Sequence, residues 1–279
     1  STQSRSSAAS DVYKRQDIHD EQQSRRLLAE ADVVFCEWAL GNVKWYSRNK
    51  REGQRLIVRL HAQELRTRFL READLKAVDT FVFVSPVGMR RAQITFGVPA
   101  ERSVVIGNTF DFDAFAAPRT DPDPHVLGMV GSVPQSKRLD LALDVMERLT
   151  AEDPGYRLVV KGKEYMEYPW LMNREPEREY FEAQYARLTD SPALQGAVEF
   201  GGHSADIAEW YRTEPGFILS TSDHEGTHQA IAEGGAAGCV PIIWPWAGAE
   251  FVYGERWLVE DAACLLYTSD AADDLLCVD

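Results

Sequence analysis

Two glutamates eight residues apart, Glu225 and Glu233, carry the first chemical signal in this chain. They lie in SDHEGTHQAIAEGGAAGCVP, residues 222–241, directly after an apolar β-type run, GFILS, at 216–220. On a strand-turn-helix reading Glu225 falls in the turn and Glu233 about two helical turns further on. The free backbone N–H groups near Gly226 and Thr227 then form a helix start able to hold a phosphate. A carboxylate at each level suits a hydroxyl-rich ligand. The same stretch matches H-E-x-x-H literally, as His224-Glu225-x-x-His228, which would place two zinc-ligating histidines on one helix face. That reading needs a continuous helix through Gly226, a poor helix-interior residue. Further signals lie upstream. Ser132, Lys137 and Arg138 fall in GSVPQSKR (131–138), two cations at a helix start after the strand-like VLGMV. Arg59, His61 and Glu64 lie at the end of another apolar run, the edge where open α/β sheets place ligands.

These groups are positioned by alternating β and α segments. Strands are expected at 32–36, 56–60, 80–84 and 104–106, with helices at 41–52, 63–76 and 86–96. A Pro-rich polar stretch, APRTDPDP at 117–124, interrupts the series as a linker does. A second series follows, with strands at 126–130, 158–161, 197–200, 216–220 and 240–243 and helices at 138–150, 176–188, 204–212 and 227–237. The pattern predicts an α/β fold with parallel sheets.

Segment 222–241 resembles the E-x7-E signature of retaining GT-B glycosyltransferases of the large family four, the group 1 type, with Gly238 and Pro241 similar to the family's small-residue run after the second Glu. The resemblance implies two Rossmann-like domains facing a cleft. Residues 17–120 would be a truncated acceptor-side domain, and 124–263 most of the nucleotide-sugar donor domain. It implies retaining transfer of a hexose-type unit from a UDP-, GDP- or ADP-sugar to a glycan, lipid or small acceptor. By residue, it puts Glu233 on the nucleotide ribose, Glu225 and His61 by the donor sugar, and Lys137 on the diphosphate. Ser132 stands where the family has Arg, so Arg138, Lys161 or Lys163 would supply the second charge. No obligatory metal is implied, and no Asp-x-Asp stands in a plausible donor position. Asn108, in VIGNTFDFDAF, is similar to a family turn and is expected to be structural. Tyr165, Tyr168 and Trp170, and Trp244 and Trp246, could stack on sugar or pack locally.

Two other classes stay open: a zinc metallohydrolase using His224 and His228, and a non-transferring GT-B relative such as a sugar-nucleotide epimerase. Composition narrows the partners. Of 279 residues, 30 are Lys or Arg and 44 Asp or Glu, a net charge of -14 that argues against a phosphate-backbone binder of nucleic acid. Four cysteines without C-x-x-C spacing suggest neither a zinc knuckle nor a disulfide framework and fit a reducing compartment. No apolar run is long enough to span a membrane, so the expected location is the cytoplasm, with peripheral contact at the inner face of the membrane left open.

The ends read differently. One coding of SSAASDVYKRQ, residues 6–16, resembles a transposase-type sequencing adapter, and its reverse complement translates as CLLYTSDAAD, residues 264–273. Residues 1–16 and 264–279 are therefore expected to be non-native scars.

Overall fold

A computed structural model describes residues 20–120 and 122–259. The expected scars, 1–16 and 264–279, lie outside the described residues. The chain divides into two compact units between Gly107 and Asn108. The division precedes the Pro-rich stretch because the chain beyond Asn108 already packs on the second unit. Phe115 meets Tyr211 at 6.1 Å between ring centroids, and Thr120 N donates to Arg212 O at 3.2 Å.

The first unit holds a four-stranded parallel sheet in the order β1 (Val33–Glu37), β2 (Arg55–Leu60), β3 (Thr80–Phe83), β4 (Ser103–Val105). Its helices are α1 (Glu21–Glu30), α2 (Gly41–Asn49) and α3 (Pro86–Phe96). Local chemistry fixes the ends of α3. Ser85 Oγ accepts the Gly88 N–H, Pro86 supplies a preset φ, and Gly97 turns left-handed at φ 71° to stop the helix. The core packs Val34, Cys36, Leu56, Val58, Leu60, Phe81 and Phe83 against Val43 and Leu70.

The helix expected over 63–76 is absent as such. In its place stand two 3-10 turns, Glu64–Arg66 and Leu75–Ala77, and one α-turn, Phe69–Glu72. Side chains outcompete the helical ladder here. The Glu64 carboxylate accepts backbone N–H groups from outside the segment, Ser47 Oγ accepts the Asp74 N–H, and Asp74 in turn accepts from Lys76 N.

The second unit holds a five-stranded parallel sheet in the order β7 (Val198–Phe200), β6 (Arg157–Lys161), β5 (Asp123–Val130), β8 (Pro215–Ser220), β9 (Val240–Ile243). Its main helices are α4 (Leu139–Glu152), α5 (Glu175–Asp190), α6 (Ile207–Thr213), α7 (Gln229–Ala236) and α8 (Ala249–Tyr253). Strand alternation divides two cores. Leu158 and Val160 of β6 face α4 and α5 through Leu143, Met146 and Phe181, while Val159 faces Trp210, Tyr211 and Ile231. Both sheets are parallel and clothed by helices, which bears out the α/β expectation.

One consequence concerns Gly128 in β5. A Cβ there would come within 2.7 Å of the Trp210 ring and 3.1 Å of Pro215 Cβ. Gly128→Val is expected to destabilise the chain by about 1–3 kcal/mol through overpacking, read as a lower urea midpoint.

Candidate functional site

The strand order β6-β5-β8 reverses direction of travel at β5: the chain moves outward through β6 and β7, then returns to place β8 on the other side. Such a switch point leaves a crevice at the carboxyl ends of the two strands, where loops diverge. The loop after β5 carries Ser132, Lys137 and Arg138; the loop after β8 carries Glu225, Gly226, Thr227 and His228.

The two loops are tied to each other. Thr221 Oγ1 donates to Lys137 O at 2.8 Å, and Asp223 N donates to Ser136 O at 2.9 Å. Across this seam the Lys137 ammonium meets the Glu225 carboxylate in an ion pair whose side chains are 21% and 14% exposed. Burial alone would raise the Glu225 carboxyl, but the electrostatic influence of the adjacent His228 together with the Lys137 charge and hydrogen bond outweighs it and holds the group below the usual carboxylate range. Arg138 does not join them. Its guanidinium is bound to Asp140 at 2.8 Å and Asp223 at 2.9 Å, and those two carboxylates raise its pKa further. Ser132 is buried beneath the loop.

Lys161, another proposed second cation, lies along the Trp210 ring at 5.5 Å from its centroid and reaches Gly201 O at 3.4 Å. Lys163 is exposed. Lys137 is thus the cation that the fold sets beside Glu225.

The helix after β8 begins later than the spacing suggests. α7 opens at Gln229 with His228 as its cap, so 224–228 is a loop, not the helix that H-E-x-x-H zinc binding needs. His224 is exposed and His228 buried. Among the described residues no cluster of three or more His, Cys, Asp or Glu is placed to hold a metal ion. His228 Nδ1 lies 2.6 Å from Ser220 Oγ at the end of β8, and its carbonyl accepts the Tyr253 hydroxyl at 2.8 Å. Thr227 Oγ1 accepts from Asn108 Nδ2 at 2.7 Å. Glu233, half-buried on α7, has its carboxyl raised by burial, against a partial offset from Gln229.

Sequence reasoning missed Ser220 and Tyr253, the two anchors of His228. A serine ending an apolar strand and a tyrosine twenty-five residues beyond His228 carry no local signal.

In the first unit, Arg59, His61 and Glu64 gather at the carboxyl end of β2, as expected. Glu37 and Trp38 at the end of β1, unmarked by the sequence reading, complete the group. His61 Nε2 is 3.4 Å and Arg59 Nη1 3.8 Å from Glu37 Oε1. Glu64 departs from its expected role as a cleft group, because it is fully buried. The aromatics of 165–170 pack locally: Tyr165 is buried and stacked on Phe181 at 5.2 Å, and Trp170 sits under the Arg174 guanidinium at 5.1 Å. Trp246 is buried, and Trp244 packs against the α4/α5 core.

Burial pushes the His228 imidazole down to about 4. An unfolded chain takes up that proton near pH ~6.5, so between these values the unfolded state binds more protons than the folded one. This contribution to stability is therefore full above the unfolded value and is lost as pH falls toward the folded one. His228→Gln is expected to flatten that decline, checked by urea midpoints across pH ~4.5–7; an unchanged slope would contradict the assignment.

Comparison with known proteins follows the same lines. A family model described as Glycosyl transferases group 1 matches residues 124–275. No curated protein matches the chain. Among solved structures, HepE from Anabaena in complex with UDP aligns with TM-score 0.70 and 18% identity, over 91% of this chain and 72% of that one. TarM, from S. aureus, aligns with TM-score 0.67 and 13% identity over 85% and 47%. A glycosyltransferase from Rickettsia africae aligns with TM-score 0.65 and 16% identity over 89% and 68%. The chain spans about half the length of TarM. At these identities the likeness is one of fold, the two-sheet GT-B class.

Proposed function

The chain belongs to the glycosyl transferases group 1 family, and from that premise we propose that it moves a sugar, with retention of anomeric configuration, from a nucleotide-sugar donor to a glycan, lipid or small-molecule acceptor. The observation that carries this reading is the Lys137–Glu225 pair at the β5/β8 switch point, with Glu233 about one turn into α7.

Sugar transfer leaves negative charge on the departing nucleoside diphosphate while the sugar carbon becomes cationic. Catalysis at such a site means placing positive charge where the diphosphate develops its own. Lys137 is the fixed cation for that task, and the open N-terminal turn of α7, beside Gly226 and Thr227, adds backbone donors. When a donor enters, its diphosphate replaces Glu225 as the partner of Lys137, freeing that carboxylate to accept hydroxyls of the sugar. Glu233 accepts the ribose hydroxyls. For His61, a role on the donor sugar is carried by the family resemblance of its sequence.

The UDP and UDP-glucose complexes of HepE make uridine nucleotides the first donors to test; GDP and ADP are the alternatives. Cys36 and Cys239 are buried and form no disulfide, their thiols pushed up by burial to about 12 and about 11, which fits a cytoplasmic setting. Among the described residues no helix is long and apolar enough to cross a membrane.

Calorimetric titration of the chain with UDP, GDP and ADP tests the donor site. One nucleotide is expected to bind, and Glu233→Ala to weaken it by about 1–3 kcal/mol through lost charge-assisted hydrogen bonds. Unchanged affinity in the variant would remove the ribose role.

A further inference from the structure

His61 is held from three directions by groups that its own motif does not announce. Glu64, three residues on, is fully buried, with a side chain 0% exposed. Its carboxylate accepts the backbone N–H of His61 at 3.1 Å and of Ala39 at 3.3 Å, so one buried anion ties the loop after β1 to the loop after β2. The same carboxylate stands 3.5 Å from His61 Nδ1, an atom shut off from solvent and lacking a closer partner. Trp38 covers the imidazole, its ring stacked at 3.9 Å and 24°. To lie there, the Trp38 backbone takes φ 68°, a left-handed conformation that bulky residues rarely adopt and that surrounding structure must enforce. Only Nε2 is directed elsewhere, toward half-exposed Glu37 at 3.4 Å, with Arg59 Nη1 3.8 Å from the same carboxylate oxygen.

We infer that Glu64 and Trp38 are positioning residues for His61: together they lock the ring with its Nδ1 proton on the Glu64 side and present Nε2 at the carboxyl edge of β1 and β2. An Nδ1 lone pair facing a buried carboxylate is repulsive, whereas an Nδ1 proton is attracted; Glu37 stands as close to Nε2 but is 41% exposed and screened by water, so the fully buried Glu64 outweighs it and selects the tautomer as well as the orientation. Nε2 then keeps its lone pair for a ligand hydroxyl, with Glu37 the group that such a hydroxyl displaces. The placement of the protons stands on this unit alone; the use of Nε2 on a sugar rests on the proposed function.

Long-range 1H–15N spectra of the full chain, whose cross-peak pattern distinguishes the two neutral tautomers from the imidazolium, are expected to show the neutral His61 ring protonated on Nδ1. Glu64→Gln keeps an oxygen for the two backbone N–H groups but removes the charge, and is expected to shift the ring toward Nε2 protonation. A wild-type ring protonated on Nε2, or a tautomer that Glu64→Gln leaves unchanged, overturns the inference. If Glu64→Gln does not fold, the wild-type spectrum decides. In a transfer assay, Glu64→Gln and His61→Asn are each expected to lower turnover about 10- to 100-fold with donor KM unchanged, and the double variant no further than His61→Asn alone. Independent, multiplying losses would overturn the positioning role. The expected tautomer in a chain that transfers no sugar counts against the proposed function and leaves the placement of His61 standing.

Discussion

The proposed donor-side chemistry depends on one topological constraint: β8 returns to the side of β5 opposite β6, so the loops leaving β5 and β8 emerge side by side at a switch point of the sheet. Everything else at this edge manages the crevice there. A bond from the Thr221 hydroxyl to the Lys137 carbonyl, a backbone bond from Asp223 N to Ser136 O and the Lys137–Glu225 pair tie its two sides together. A buried ion pair of this kind gains little for folding, because desolvation offsets most of the attraction. In the proposed function, its value lies in keeping a cation poised and partnered until a donor diphosphate arrives.

His228 plays the complementary part from below. Kept neutral by burial, it caps α7, reaches Ser220 at the strand end and offers its carbonyl to Tyr253, so the start of the helix is fixed from β8 and α8 at once. A charged imidazole 3.8 Å from Glu225 would compete with Lys137 for that carboxylate. Neutrality at His228 and the strength of the Lys137–Glu225 pair are thus two sides of one arrangement. In the first unit a different device does similar work: Glu64 is an anion with no route to solvent, satisfied by backbone donors, that holds two loops at the sheet's carboxyl edge.

Much of this was legible in the sequence. Strands such as Pro215–Ser220 and Val240–Ile243 announce themselves as short apolar runs, and α3 carries its own start and stop in Ser85, Pro86 and Gly97. Glu225, Glu233 and Lys137 stood out because spacing and flanking glycines belong to local sequence. The illegible parts are long-range. Nothing near Glu64 says that its carboxylate will capture the Ala39 N–H twenty-five residues upstream and so break the expected 63–76 helix. Arg138 reads as a phosphate ligand until the fold delivers Asp223 to it. The start of α7 moved from 227 to Gln229 because His228 spends its side chain on Ser220.

The most direct test of the account asks whether Lys137 is a diphosphate ligand. Calorimetry would compare wild-type chain and Lys137→Met for a nucleoside diphosphate and for its parent nucleoside. The account predicts that the variant binds the diphosphate about tenfold or more weakly while the nucleoside is held as before, the loss being that of a charge-assisted contact. Equal affinity of both chains for the diphosphate, or an equal loss for the nucleoside, would contradict it.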